Sequence, residues 1–250
     1  MTILRQARRW ALLLLAALLA LVVVAGALLL AWSRFGLMEA EQGPLGQVVE
    51  DSGVSVTESS TSLILQPAGA GSSATGLVFY PGAKVEADAY AARLADLVTE
   101  QKMTVVIVKP WLHLALFDRR GLDTFTADLP EVGSWIVGGH SLGGVRACQV
   151  ARDADALLLL GSYCANDLSE RVLPVLSLAG SEDGLSTPEK IADARDLLPG
   201  TATLVEIEGA SHASFGDYGP QDGDGTASIS DEEMDAEVGA EVEAFVDSFG

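Results

Sequence analysis

Between residues 76 and 207 the chain breaks into short, uninterrupted apolar runs parted by longer amphipathic or glycine-rich stretches. The runs are residues 76–80 (GLVFY), 104–108 (TVVIV), 134–138 (SWIVG), 156–160 (ALLLL), 175–179 (VLSLA) and 203–207 (TLVEI). Such runs lack the in–out alternation of a half-solvated strand and read as strands buried on both faces. Buried strands alternating with helices dictate an α/β domain with a parallel sheet covered on both sides. Residues 54–57 and 62–65 add a short antiparallel hairpin ahead of it. Helices are expected over 87–100, where Tyr90, Leu94, Leu97 and Val98 share a face, and over 188–198. At the C-terminus, Ser230 and Glu233 have capping-box spacing, and Met234, Val238, Val242, Phe245 and Phe249 form one apolar stripe.

The N-terminus obeys a different rule. Residues 10–32 contain no charge and consist almost wholly of Leu, Ala and Val. About 20 apolar residues suffice for a helix to cross a bilayer. Arg5, Arg8 and Arg9 precede the run and Arg34 follows it, which puts the N-terminus in the cytoplasm and the rest outside. A cleavable signal peptide is the rival reading: Ala25-Gly26-Ala27 resembles a cleavage site, but Leu28-Leu29-Leu30 carries the apolar run beyond it. The expected organisation is a cytoplasmic N-terminus at 1–9, a transmembrane signal anchor at 10–32, a polar stalk at 33–53 and one folded domain at 54–250.

Charge excludes one class of partner. Of the 15 Lys and Arg, three precede the apolar run, leaving 12 against 35 acids beyond it, a formal −23. Such a surface cannot neutralise a phosphate backbone, so nucleic acid is ruled out as a ligand. The two cysteines lack the clustering of a structural zinc site. Cys148 stands two helical turns after Ser141 and Cys164 lies past the next strand; a disulfide between them and a pair of small buried thiols are both open.

The candidate chemistry sits in three turns. Gly139-His140-Ser141-Leu142-Gly143 directly follows one expected strand and opens a helix. A serine on such a bend presents its oxygen above the sheet edge, with the next N–H, that of Leu142, at a helix start where it can face an oxyanion. The hydroxyl needs a base, and the base needs an acid to fix its tautomer. Of the three histidines, His140 adjoins the serine and His113 precedes any suitable acid, so His212, in the turn after the last strand, is the candidate base. Asp183, in Gly180-Ser181-Glu182-Asp183-Gly184, lies between them in chain order, with Glu182 as the fallback acid. All three positions follow C-terminal strand ends, where an open parallel sheet gathers its active site. Asp217, Asp222 and Asp224 crowd the loop after His212; a turn-rich rim is the favoured reading over a calcium site.

In these motifs, GHSLG, GSEDG and GASH in order, the chain resembles the α/β-hydrolase superfamily over most of the soluble part. More narrowly, the YPGAKV loop and residues 212–225 are similar to compact, often membrane-anchored bacterial hydrolases. The resemblance implies an α/β-hydrolase fold with Ser141 as nucleophile, Asp183 as orienting acid and His212 as general base. It implies Ala83 N–H as the second oxyanion donor beside Leu142, with Lys84 as its neighbour to test. About a dozen residues after the ALLLL strand leave no room for a cap domain. Trp111 and His113 are candidate substrate contacts.

The expected activity is that of a serine esterase, with no metal or organic cofactor, acting on a small-molecule or lipid acyl ester from a single-pass membrane protein whose catalytic domain lies outside the cytoplasm. A non-catalytic binding protein on the same fold and an acyltransferase using the same acyl-enzyme are the alternatives.

Overall fold

The computed structural model describes residues 2–69, 71 and 74–249; Met1 and Gly250, the outer limits of the expected N-terminal tail and folded domain, lie outside them. The chain divides into two compact units, Met1–Leu37 and Met38–Gly250. The first holds helix α1 (Thr2–Arg34), whose stretch Arg5–Arg34 is long and apolar enough to cross a membrane.

The second unit begins earlier than the sequence suggests. The segment expected to be a stalk carries helix α2 (Gln42–Glu50), which buries Val48 in the core, and Ala40 is buried with it. Met38 forms a parallel bridge to Val85. Polar composition concealed this: only every few residues does the segment supply an apolar side chain, and the contacts it makes are with distant loops.

Eight strands then form one sheet: β1 (Val54–Glu58), β2 (Ser62–Pro67), β3 (Thr75–Tyr80), β4 (Thr104–Val108), β5 (Ser134–His140), β6 (Ala156–Leu160), β7 (Val175–Gly180) and β8 (Thr203–Ile207). Their order is β1-β2-β4-β3-β5-β6-β7-β8. The hairpin β1–β2 is antiparallel and joins β4 antiparallel, while every pairing from β4 to β8 is parallel. The apolar runs fall within β3 to β7, of which β3, β4, β6 and β7 are buried at every position, but β8, expected to be buried on both faces, is the edge strand and leaves Thr203, Leu204 and Glu206 exposed.

The connecting helices are shorter than periodicity suggests. Residues 87–100, expected as one helix, split into a 3-10 turn Ala87–Tyr90 and helix α3 (Ala95–Thr99). The break lets Tyr90 and Arg93 turn inward, both buried, rather than follow one stripe. Helices α4 (Asp123–Thr126) and α5 (Leu142–Val150) follow. Residues 188–198 likewise divide into α6 (Pro188–Asp193) and a 3-10 turn Arg195–Leu197. Helix α7 (Asp231–Asp247) carries the full capping box between Ser230 and Glu233 and buries Met234, Val238, Val242 and Phe245. Residues 161–174, between β6 and β7, contain no helix or strand, so no cap domain interrupts the sheet edge. Two apolar layers enclose the sheet. One, around Leu77, Phe79 and Ile107, is closed by α3 and α7; the other, around Val78, Val106 and Leu159, is closed by α5.

Candidate active site

The turn from β5 into α5 is built on glycine for want of space. A Cβ at position 139 would strike the Gly143 backbone, and one at 143 would fall on the carbonyl oxygens of Tyr80 and Pro81. Helix α5 therefore begins hard against the loop that follows β3. Ser141 sits between these glycines at φ 53° and ψ −127°, a conformation in which a residue with a Cβ is strained. Its N–H donates to Leu160 O (3.1 Å), and its carbonyl accepts from Gly144 N (3.0 Å) and Ser162 Oγ (2.7 Å).

Asp183 and His212 meet at the neighbouring strand ends. The His212 Nδ1 lies 2.8 Å from Asp183 Oδ2, and both side chains are buried. The other carboxylate oxygen of Asp183 accepts the N–H groups of Leu185 (2.8 Å) and Ser186 (2.7 Å). Three donors thus fix one carboxylate, and the carboxylate fixes the ring with Nε2 turned away from it. Among the described residues no hydrogen bond joins the Ser141 hydroxyl to the His212 ring. The ring instead packs against His140, the residue before Ser141, with centroids 4.4 Å apart. Hydrogen bonds of this kind are often long in unliganded enzymes and tighten when substrate binds.

His140 has a larger part than its position in the motif suggested. It is fully buried, and its Nδ1 lies 2.8 Å from the Tyr90 hydroxyl. That hydroxyl also accepts the Gly82 N–H (2.9 Å), so its own proton points at His140 Nδ1. Burial, and then the neighbouring His212, hold the His140 pKa well below the usual histidine value, so the ring is neutral. Burial likewise keeps the Tyr90 phenol protonated. A chain of contacts therefore runs from the loop after β3, through Tyr90 and His140, to the His212 ring.

That loop supplies one unengaged donor. The N–H groups of Gly82, Lys84 and Val85 bond to Tyr90 Oη, His113 O and Gly82 O. The Lys84 N–H is thus engaged by a protein acceptor. Among the described residues the Ala83 N–H meets no protein acceptor, and Leu142 N–H is one of the orphan donors at the start of α5.

Trp111 and His113 lie on a 3-10 turn in which Leu112 and His113 both have positive φ. The turn is tied to the loop after β3 through the His113 carbonyl (2.9 Å to Lys84 N), and Trp111 remains 52% exposed.

Two further groups have roles the sequence did not show: Asp224, expected only as part of a turn-rich rim, and Ser162, not singled out at all. Asp224 accepts the N–H groups of His212 (3.0 Å), Ala213 (2.8 Å), Gly184 (3.1 Å) and Gly225 (2.7 Å). Burial pushes its carboxyl up, but these backbone donors outweigh burial and hold it below the ordinary value. Of the three loop acids, Asp224 is occupied by N–H groups and Asp217 pairs with the buried Arg93 (3.3 Å). Among the described residues no group of three or more His, Cys, Asp or Glu is placed to hold a metal. Ser162 is the second such group, and its loop is fastened to α5 by a disulfide between Cys148 and Cys164, with Cα atoms 5.6 Å apart. The pairing that spacing left open is made.

A family model described as the alpha/beta hydrolase family matches residues 76–236. A search of curated proteins gives no match. Among solved structures, Est1E from Butyrivibrio proteoclasticus superposes with a TM-score of 0.53 at 12% identity, over 78% of this chain and 99% of its own. A serine hydrolase without a lid from Xanthomonas campestris gives 0.52 at 13% identity, over 80% and 95%. A dienelactone hydrolase-like promiscuous phosphotriesterase from metagenomic libraries gives 0.51 at 17% identity, over 79% and 97%. At such identities the likeness is one of fold.

Proposed function

Since this chain belongs to the alpha/beta hydrolase family, we propose that it is a serine hydrolase that cleaves acyl esters through an acyl-enzyme. The observation that carries the reading is the Asp183–His212 contact of 2.8 Å, held at the strand ends beside the strained Ser141 turn.

In this mechanism Ser141 Oγ attacks the ester carbonyl carbon while its proton passes to His212 Nε2. Asp183, bonded to Nδ1, fixes the tautomer and stabilises the imidazolium. The negative charge on the carbonyl oxygen is met by the N–H groups of Ala83 and Leu142. Collapse breaks the acyl C–O bond, and His212 returns its proton to the departing alcohol. A water then attacks the acyl-enzyme, gives a proton to His212, and releases the carboxylic acid as that proton returns to Ser141. Nucleophile, base and oxyanion donors are all protein groups, so the sequence of steps requires no metal or organic cofactor. Trp111 and His113, on the turn tied to the loop after β3, are assigned to substrate contact.

Helix α1 is read as an uncleaved signal anchor, with Arg5, Arg8 and Arg9 on the cytoplasmic side. The domain then lies outside, where the Cys148–Cys164 disulfide is at home. The membrane segment is assigned to residues 10–32 and the catalytic domain, including α2, to everything from Met38 onward.

Labelling with a fluorophosphonate probe tests the chemistry. The wild type is expected to label, and Ser141→Ala and His212→Ala to lose the label while keeping the wild-type circular dichroism spectrum. A folded wild type that takes no label refutes the hydrolase reading.

A further inference from the structure

The way the chain enters the second unit bears on its substrate. Helix α1 ends at Arg34. Only four peptide links later, Met38 is stitched to the loop after β3: its N–H donates to Lys84 O (2.7 Å), its carbonyl accepts from Glu86 N (3.0 Å), and it bridges Val85. Lys84 adjoins Ala83, the N–H assigned to the oxyanion. A chain of four links spans at most about 14 Å. No more than four peptide links therefore separate the end of α1 from the residue bonded to the loop that carries Ala83.

Large apolar side chains are exposed on the elements next to Ser141. Trp111 is 52%, Phe117 54% and Leu142 40% exposed. Leu142 opens α5 directly after Ser141, and the turn Ala115–Phe117 packs against α5. Trp111 belongs to the turn whose His113 carbonyl binds Lys84 N. Leu142 thus adjoins the nucleophile, and Trp111 and Phe117 lie on two successive turns that connect the Lys84 loop to α5. Side chains of this kind give an acyl chain an apolar surface to lie on.

We propose, resting on the hydrolase reading and on the anchor, that the substrate is a long-chain acyl ester of a membrane lipid, taken at the bilayer surface with its acyl chain laid on Trp111, Phe117 and Leu142. One water is consumed, the acyl C–O bond breaks, the fatty acid is released, and the alcohol-bearing remainder takes the proton delivered by His212.

The test uses the full-length protein in phosphatidylcholine vesicles that carry a fluorogenic long-chain acyl ester, with p-nitrophenyl butyrate in the water phase as comparison. A flexible Gly/Ser insert of about 30 residues between Gly36 and Leu37 dilutes the cleft from the surface and should cut vesicle-ester turnover about tenfold. The insert lies outside the catalytic unit, so butyrate turnover should stay unchanged. Phe117→Ser should flatten the rise of kcat/KM with acyl length on soluble esters. A wild type that cleaves butyrate but not the vesicle ester overturns the proposal. So does an insert that leaves vesicle turnover unaltered or lowers both activities equally. Loss of both activities in the wild type, with no fluorophosphonate label on Ser141, overturns the hydrolase reading itself.

Discussion

The Asp224 carboxylate accepts the backbone N–H of His212 at 3.0 Å, and the same oxygen accepts the N–H of Gly184, the residue after Asp183. One side chain therefore ties together the two loops that carry the candidate acid and the candidate base. Its remaining oxygen holds Ala213.

Replacing Asp224 by Ala should loosen both loops. Loss of an ionised acceptor for several backbone donors should cost about 2 kcal/mol in chemical denaturation. The kcat on a soluble ester should fall more than KM rises, and Asp224→Asn should restore part of it. Because the folded pKa lies below the ordinary carboxylate value, the stabilisation is complete above that value. It is lost only as pH falls through the lowered one. The difference between wild type and Asp224→Asn should therefore shrink on acidification below the ordinary range, as read from urea midpoints over a pH series.

Tyr90→Phe removes the acceptor for Gly82 N–H and the donor to His140 while keeping the ring. Stability should drop by about 1 kcal/mol. Fluorophosphonate labelling of Ser141 should persist at a reduced rate, and kcat should fall with little change in KM, because what suffers is the aim of the Ala83 N–H.

Ser141→Gly separates strain from chemistry. The serine backbone at φ 53° and ψ −127° is unfavourable with a Cβ and tolerable without one. The variant should be inactive yet more stable than Ser141→Ala by about 1 kcal/mol in thermal or urea unfolding.

The Cys148–Cys164 bond closes a loop of 16 residues in sequence separation. Ellman titration of the unreduced, denatured protein should find no free thiol. Cys148→Ala with Cys164→Ala should lower stability by about 3 kcal/mol. Since the tied loop holds the Ser141 carbonyl through Ser162, some activity should be lost with it.

Much of this architecture could be read along the chain. The limits of β4 and β6 coincide with apolar runs, because a strand buried on both faces must be apolar at every position; β8, at the edge of the sheet, keeps the expected limits while leaving Thr203, Leu204 and Glu206 exposed. The elbow was legible because Gly139 and Gly143 answer to a steric demand that no other residue meets. The helix expected over 87–100 was misjudged because Tyr90 and Arg93 satisfy polar partners in the interior, a requirement that periodicity does not encode. Residues 38–50 differ from the expected stalk because Met38 and Ala40 are held by backbone bonds and by Glu86, and the apolar side chains that pack into the core, Met38, Ala40, Leu45 and Val48, are too sparse to show a pattern.

The amino-acid sequence by itself determined the strands, the order of serine, acid and histidine, and the apolar N-terminal helix, since each follows from local sterics or from which side chains water excludes. Tertiary structure alone decided that Cys148 meets Cys164, that Tyr90 holds the loop after β3, that Asp224 ties the acid loop to the histidine loop, and that Met38 fastens the chain beside Ala83. Those are meetings between residues remote in the chain. They depend on where loops land once the sheet is closed, and backbone N–H groups, which every residue but proline carries, leave no trace of their partner in the sequence.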